Sequence, residues 1–577
     1  MLFRSVSLTT TPMMCALLLR SHEGQPRGRI YRGGERVFGW IVGGYERTLG
    51  WALRFPGTVL VIAALTCALT VHLFLVIPKG FFPQQDNGRL SGSILADQAI
   101  SYQAMQEKMT QLAAIVQADP AIATVTAYTG GGGGRGTTVN NARMFIALKP
   151  LRQRDANADE VITRLRPKLA RVPGATLYLQ AVQDIRVGGR LGNAQYQYTL
   201  QADHLDELSE WAPRMLEALR KLPQLRDVSS DQQDAGLQVP LTIDRPTAAR
   251  LGISARLIDE TLYSAFGQRQ VSTIYTALNQ YHVVMEVGPQ FWQDPDALGD
   301  IYVRSTTTGQ SVPLTTVTRF VPSAAPLQVN HQGLFPSVTL SFNLAPDVAL
   351  GQAVTAVEQA GRAIELPSSV RGKFAGAAQA FQDSLSTQPL LILAALVAVY
   401  IVLGMLYESY VHPLTILSTL PSAGVGALLA LMLCRMDLSI IALIGIILLI
   451  GIVKKNAIMV IDVALDLERR EGRPPQEAIY AACLQRLRPI LMTTMAAMLG
   501  ALPLALGAGT GSELRRPLGV SIIGGLMLSQ LLTLYTTPVV YLFLERWRLR
   551  MAVVWRRIGA RIGVRRPAEQ ISGASDT

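Results

Sequence analysis

Six apolar runs constrain the fold of this chain more than any other feature of its sequence. A helix needs about 20 predominantly apolar residues to cross the hydrocarbon core of a bilayer. One such run stands alone near the N-terminus and five cluster toward the C-terminus, at approximately 57–77, 389–407, 413–434, 438–464, 489–506 and 517–544. The sequence therefore predicts an α-helical membrane protein with six transmembrane helices.

The distribution of charge predicts how these helices are oriented. Only 16% of the 577 residues are charged, and the formal net charge is +12. The arginines crowd the segments 20–54 and 546–566, next to apolar runs, which is the pattern of cytoplasmic loops rather than of a nucleic-acid-binding surface. Six crossings would place both basic segments in the cytoplasm and the long polar region 80–385 in the periplasm of a Gram-negative cell. We expect an inner-membrane protein that does not bind nucleic acid.

The first twenty residues contain a modestly apolar run that includes several threonines. A signal peptide is one interpretation, but no small-x-small cleavage pattern follows the run. The other interpretation is the end of a further, partial transmembrane span, and we expect this second one.

The long polar region alternates short β-like runs with amphipathic helical runs. The order β-α-β-β-α-β, typical of a ferredoxin-like module, occurs over 82–190 and recurs in two pieces, 191–240 and 331–385. We expect two such modules, with a separate inserted domain at 241–330. The remaining segments are a basic linker at 21–56, the helix cluster at 389–544 and a basic cytoplasmic tail at 545–577.

Motifs for catalysis or metal binding are not evident in the sequence. The run TGGGGGRGTT lacks the GK[ST] ending and the following helix of a phosphate-binding loop, so a flexible hairpin loop is favoured. The four cysteines do not have the spacing of metal ligands or of a disulfide framework. We therefore expect neither an enzyme nor a metal site.

Several longer motifs resemble those of one transporter family. SLTTTPMMCA, PKGFFPQQDNG, IDRPTAARLGIS, LYESYVHP, GIVKKNAIMVID and QRLRPILMTT resemble stretches of the resistance-nodulation-division (RND) multidrug efflux permeases. The resemblance extends over nearly the whole chain but covers only the C-terminal half of such a permease, which has twelve spans. It implies a truncated or split permease whose N-terminal half is a separate partner.

The resemblance also implies a function. Family members are secondary transporters that use the proton motive force, without a cofactor, to export drugs and other amphiphilic compounds. They work as homo- or hetero-trimers with a periplasmic membrane-fusion adaptor and an outer-membrane channel. By this resemblance, the inserted domain at 241–330 would be the domain that docks on that channel.

Residues of a proton relay follow from the same motifs. In the family, a carboxylate pair on the fourth span interacts with a lysine on the tenth span, assisted by an arginine and a threonine on the eleventh. The matching positions here are Lys455, Arg486 and Thr493. Protonation of a carboxylate would remove its charge, free the lysine and allow the spans to repack.

The two adjacent lysines in GIVKKNAIMVID can be compared from helix geometry alone. Lys454 and Lys455 point about 100° apart, so at most one of them faces a given partner. Asp462 lies about 10 Å further along the axis, and Asp437 lies at the opposite end of the span. Since no span offers a carboxylate at the depth of Lys455, we expect its partner outside this chain. The alternative, that both lysines extend to the headgroup region, is retained for Lys454.

Substrate-binding residues are expected near the glycine run. The resemblance implies aromatic residues around this loop, and Phe145 occupies one matching position, with Gly131 and Gly133 in the loop itself. Other aromatic positions of the family fall on Thr126 and on glycines, which departs from the multidrug pattern. Phe145 could equally be an ordinary strand residue packed in the core.

Two other functions remain open at this stage. The chain could be a fragment that transports nothing, or a split-gene product that needs its N-terminal half. It could also be a six-span protein like the SecDF translocation factors, but those carry intramembrane carboxylates that this sequence lacks.

Overall fold

The computed structural model describes residues 2–18, 29–129, 138–188, 192–291, 294–507 and 509–561. The chain forms two compact units. The helical unit comprises Met1–Ile77, Gln388–Ala508 and Arg515–Thr577, and the αβ unit comprises Pro78–Thr387 and Gly509–Leu514.

Three helices begin the chain: α1 (Leu2–Leu18), α2 (Arg29–Arg54) and α3 (Pro56–Val76). Helix α2 lies where a basic linker was expected. Its residues Tyr45, Leu49 and Ala52 recur at helical spacing and are buried, and the Tyr45 hydroxyl donates to the carbonyl oxygen of Leu534 at 2.9 Å. A buried apolar stripe within the basic segment explains why it is helical.

The first module of the αβ unit has a four-stranded antiparallel sheet and two helices. Its elements in chain order are β1 (Arg89–Ala96), α4 (Tyr102–Gln117), β2 (Ile122–Thr129), β3 (Asn141–Leu148), α5 (Ala158–Leu169) and β4 (Ala175–Ala181). The strands lie in the order β2-β3-β1-β4. Helix α5 begins with a capping box in which Asn157 and Glu160 each bond the other's backbone N–H at 2.9 Å. The observed order is β-α-β-β-α-β, whereas the assignment to the ferredoxin-like class stays a prediction.

The remaining elements of the αβ unit build one larger sheet and several small ones. In chain order they are β5 (Tyr196–Gln201), α6 (Leu205–Arg220), β6 (Leu225–Ser230), β7 (Gly236–Gln238), β8 (Leu241–Ile243), α7 (Arg245–Arg250), α8 (Ala255–Phe266), β9 (Arg269–Tyr275), β10 (Gln280–Met285), β11 (Tyr302–Arg304), β12 (Ser311–Pro313), β13 (Thr318–Phe320), β14 (Ser323–Ala325), β15 (His331–Gln332), β16 (Phe335–Leu344), α9 (Leu350–Ala363) and β17 (Arg371–Ala375). The larger sheet has the order β15-β16-β5-β17, with β6 also paired to β16. Four antiparallel pairs, β7–β14, β8–β13, β9–β10 and β11–β12, lie between its two halves in sequence.

Six helices follow in the described part of the chain: α10 (Ala377–Tyr407), α11 (His412–Leu417), α12 (Leu420–Leu433), α13 (Ile440–Glu471), α14 (Pro475–Leu506) and α15 (Ser512–Arg561). In the described part of the chain, six segments are long and apolar enough to cross a membrane, with α11 and α12 together forming one of them. The apolar runs therefore located the spans, but α10, α13, α14 and α15 extend beyond those runs into polar sequence.

Small residues allow close helix packing in the helical unit. A Cβ atom at Gly426 of α12 would overlap with the carbonyl oxygen of Gly524 of α15. This close approach is typical of membrane helices, which associate through van der Waals contact between small residues.

Candidate functional site

Lys455 lies at the middle of α13, fifteen residues after Ile440 and sixteen before Glu471. The buried residues of this helix include Val453, Asn456, Ala457 and Val460. On a helix with 100° per residue these four positions share one face, and Lys455 points to the opposite face. Its side chain is correspondingly exposed. Lys455 is thus directed away from the interior of the helical unit.

Lys454 lies between these two faces of α13 and is only half-buried. Among the described residues, neither lysine forms a hydrogen bond or an ion pair. The different orientations agree with the expectation that at most one lysine faces a given partner.

Arg486 and Thr493 lie on α14, two helical turns apart and therefore on the same side of that helix. Both are partly buried, at the edge of the face that packs on α13. The Nε atom of Arg486 is buried and has no hydrogen-bond partner among the described residues. The Thr493 hydroxyl donates to the carbonyl oxygen of Ile490 at 3.2 Å. Within the described structure, no hydrogen bond joins Lys455, Arg486 and Thr493, so their common role stays a prediction.

The carboxylate of Asp462, seven residues after Lys455 on α13, already has a hydrogen-bond partner. It accepts a hydrogen bond of 2.6 Å from the hydroxyl of Tyr407. This bond leaves Asp462 as a member of a different cluster, about 10 Å along the helix axis from Lys455.

A buried polar cluster lies directly beside the predicted relay. The Nδ2 group of Asn456 donates to the Thr494 hydroxyl at 3.2 Å and to Oε1 of Gln530 at 3.3 Å. The Thr494 hydroxyl also donates to Oε1 of Gln530 at 2.7 Å. These bonds join α13, α14 and α15 on the face of α13 opposite to Lys455.

The sequence analysis missed this cluster of Asn456, Thr494 and Gln530. Asn456 follows Lys455, and Thr494 follows Thr493. Their position beside the predicted relay residues was the available signal. Gln530 lies far along the chain, and no local pattern pairs it with the other two.

The predicted substrate residue Phe145 lies on β3 with 47% of its surface exposed, not in the core. Its ring stacks on that of Tyr128, with centroids 6.0 Å apart and an interplanar angle of 28°. Thr126 is the residue of β2 directly opposite Phe145. The aromatic pair therefore occupies an exposed face of the β2–β3 hairpin.

Tyr128 was not predicted, although the alternation of Thr124, Thr126 and Tyr128 has the period of a strand with one exposed face. Gly131 and Gly133 lie outside the described residues, in the sequence that connects β2 to β3.

A cavity of about 500 Å³ lies elsewhere in the αβ unit, within the usual size range of small-molecule sites. Arg166 and Asp227 line it and form a two-pronged ion pair at 2.7 and 3.0 Å. Tyr178 also lines the cavity, and burial raises the pKa of its hydroxyl. The cavity was not predicted, because its walls come from segments distant in sequence.

Metal-binding groups were also sought among the described residues. No cluster of three or more His, Cys, Asp or Glu side chains in that part of the chain is arranged to hold a metal ion.

Comparison with known families gives one match over most of the chain. The model of the AcrB/AcrD/AcrF family matches residues 3–545.

Similar curated proteins share more than half of their aligned residues with this chain. It is 57% identical over 547 residues to the multidrug resistance protein MdtC of Yersinia pestis bv. Antiqua (strain Angola) and to that of Yersinia pseudotuberculosis serotype O:3 (strain YPIII). Each alignment covers 95% of this chain and 53% of the relative. The chain therefore spans about half the length of the curated relatives it matches.

A solved structure shares the fold. A crystal structure of a heavy metal efflux pump superimposes with a TM-score of 0.80 at 24% sequence identity. The superposition covers 88% of this chain and 53% of that pump. At this identity the likeness concerns the fold alone.

Proposed function

Because the chain belongs to the AcrB/AcrD/AcrF family of RND efflux pumps, we propose that it forms the C-terminal half of a proton-driven efflux permease. The family and the six apolar helices point to a multi-pass inner-membrane protein. The periplasmic position of the αβ unit and its docking on an adaptor and an outer-membrane channel are parts of this proposal. So are its ferredoxin-like modules and the assembly of the permease as a trimer.

The orientation of Lys455 is the observation that supports the proposal most directly. An ammonium group in the middle of an apolar helix is costly unless it is paired, and Lys455 points away from the unit to which α13 belongs. We propose that it pairs with a carboxylate on the part of the permease that this chain does not cover. Protonation of that carboxylate would break the pair and couple proton entry to helix repacking.

Arg486 and Thr493 would assist this relay from the adjacent helix. The free Nε donor of Arg486 is suited to an acceptor supplied during the cycle. No cofactor is needed, because the proton gradient supplies the driving force.

The proposed substrates are amphiphilic compounds, including drugs. Phe145 with Tyr128 forms an exposed aromatic surface beside the glycine run, and such a surface binds apolar ring systems without a strict shape requirement. Gly131 and Gly133 would give the neighbouring loop the backbone freedom that substrate movement requires.

Export in living cells tests the proposal. The chain is expressed in a pump-deficient strain together with the part of a related permease that it does not cover. We expect raised resistance to a bile salt and to an amphiphilic antibiotic, and no resistance from either part alone. Lys455→Ala should abolish the resistance, whereas the matched control Lys454→Ala should have a much smaller effect.

Two results of this experiment would contradict the proposal. Equal losses for the two alanine variants, at protein levels matched by immunoblot, would show that Lys455 has no role that Lys454 lacks. Absence of export in any combination would favour the second candidate, a fragment that transports nothing.

A further inference from the structure

A buried histidine lies between two tyrosine rings in the helical unit. His412, the first residue of α11, is 4% exposed. Its ring stacks on Tyr541 with centroids 5.8 Å apart, and it meets Tyr407 at 6.1 Å with an interplanar angle of 67°. The Nδ1 atom of His412 has no hydrogen-bond partner among the described residues.

Each tyrosine links this histidine to a carboxylate of α13. The Tyr407 hydroxyl donates to Asp462 at 2.6 Å, and the Tyr541 hydroxyl donates to Glu468 at 2.8 Å. The cluster thus joins groups from α10, α11, α13 and α15.

A third carboxylate completes the cluster. Glu545 of α15 is 6% exposed and forms an ion pair with Arg548. Its Oε2 atom is buried without a partner within the described structure. Glu545, Arg548 and Arg469 are the charged groups whose fields act on His412.

Packing alone gives no reason for such a cluster. A buried polar atom without a partner costs about 1–3 kcal/mol, and His412 and Glu545 each carry one such atom. Apolar residues of similar size would fill the same volume without this cost. Ionisable groups kept inside a membrane unit at such a cost are typical of ion and proton pathways.

The cluster lies on the C-terminal side of Lys455 along α13. Asp462 and Glu468 are seven and thirteen residues further along α13, or roughly 10 and 20 Å along its axis. The same direction leads to Arg469 and Arg470 in the last turn of α13, and by the positive-inside rule that end faces the cytoplasm.

We propose that His412, with the carboxylates of Asp462, Glu468 and Glu545, forms a second protonatable site, from which a proton leaves the helical unit toward its arginine-rich end. A proton binds to Nδ1 of the neutral imidazole, and the carboxylate of Glu545 stabilises the imidazolium. Loss of that proton restores the neutral ring, and no other bond changes. The direction of proton movement rests on the proposed function, whereas the protonatable site does not.

Histidine-selective NMR of the chain in lipid nanodiscs tests the site itself. The chain has six histidines, so the signal that disappears in His412→Gln identifies His412. We expect the His412 signal to change protonation state reversibly as the pH is lowered. Should His412→Gln fail to fold, single replacement of each of the other histidines assigns the signal by exclusion.

Two variants of nearby carboxylates sharpen this test. Glu545→Gln should move the titration midpoint of His412 to lower pH by about half a unit or more, because a negative charge near the imidazolium is removed. The matched control is Asp466→Asn, since Asp466 is an exposed carboxylate of α13 paired with Arg470. A His412 signal that does not titrate, or equal shifts from the two variants, would overturn the proposal.

Export by the completed permease tests the direction of proton movement. His412→Gln should slow export about a hundredfold, the lower end of the range for loss of a proton-transfer group, and should shift the pH at which export is fastest. A structural role would change protein level without moving that pH. If His412 titrates but its replacement leaves the pH profile unchanged, the proton does not leave by this route, and the role of Lys455 is unaffected.

Discussion

The two units of this chain differ in how their charged side chains are paired. In the αβ unit, buried carboxylates are paired directly with arginines. Arg154 bonds Asp86 at 2.6 Å, with side-chain exposures of 1% and 9%, and Arg164 bonds the fully buried Asp119 at 2.7 Å. Each of these buried carboxylates therefore has a cationic partner within the same unit.

In the helical unit, three cations on apolar helices lack such partners in the described part of the chain. Lys454, Lys455 and Arg486 form no ion pair with any described residue. Removing one partner of a buried ion pair is strongly destabilising. Removing an unpaired cation from an apolar helix removes little native interaction. The difference indicates that the αβ unit uses paired buried charge to hold its fold, whereas these three cations of the helical unit do not hold its fold in that way.

The largest effect should come from breaking a buried pair in the αβ unit. Arg154→Ala leaves Asp86 charged and buried, so we expect a loss of about 3–5 kcal/mol in the unfolding free energy of this unit. Hydrogen exchange of amides in β1 and α5 measures it. The control is Arg214→Ala, which removes an exposed pair with Glu210 and should change little. Similar losses of unfolding free energy in both variants would show that the buried pair contributes no more to stability than the exposed pair.

The same pair should make the αβ unit sensitive to acid. Burial by itself raises the pKa of Asp86, but Arg154 and the N–H groups of Gly88 and Ala158 outweigh it and hold that pKa below its ordinary value. The resulting stability is present above about pH 4, the ordinary aspartate pKa, and is lost as the pH falls through the lower, folded-state value.

Hydrogen exchange corrected for the intrinsic rate at each pH follows this loss. In Arg154→Ala the acid-induced loss should begin at higher pH, because the cation that lowers the pKa is gone. An identical pH profile in the variant would mean that Arg154 does not control Asp86.

A smaller effect is expected from the neutral polar cluster of the helical unit. Gln530→Leu leaves Asn456 and Thr494 without their shared acceptor, which should cost about 1–2 kcal/mol. Thermal unfolding in detergent measures it, with Met527→Leu as a control on an exposed position of the same helix. No difference between the variants would show that these hydrogen bonds do not fix α13.

The smallest effect on stability should come from the exposed aromatic pair. Phe145→Ala should change the unfolding free energy by less than about 0.5 kcal/mol, as for other surface positions, while it alters the relative resistance to different amphiphilic compounds. Its neighbour Met144 is fully buried, so Met144→Ala should cost about 2–5 kcal/mol. A large loss of stability in Phe145→Ala would instead place that ring in the core.

Sequence predicted the spans well, because a membrane helix must be apolar along most of its length. The helix ends were less predictable, since α10 begins at Ala377 and α14 at Pro475, in sequence with little apolar character. Helix α2 was missed because its buried stripe lies among arginines, and charge was given more weight than spacing.

The candidate site shows the same limit. Lys455 and Phe145 were found because each lies in a local motif. The partners of His412 and Asn456 were not found, since Tyr541 and Gln530 lie on α15, far away in sequence. Such pairings depend on helix packing, which no local pattern encodes.

The stability of the chain after Lys455→Ala tests the central claim most directly. The measurement is hydrogen exchange of α13 and thermal unfolding of the chain alone in nanodiscs, side by side with Arg154→Ala. If Lys455 has no partner within this chain, its removal should leave the helical unit as stable as before or slightly more stable, since an unpaired ammonium group is removed from an apolar helix. A loss of stability comparable to that of Arg154→Ala in its own unit would contradict the account. It would show that Lys455 stabilises the fold through a partner within this chain.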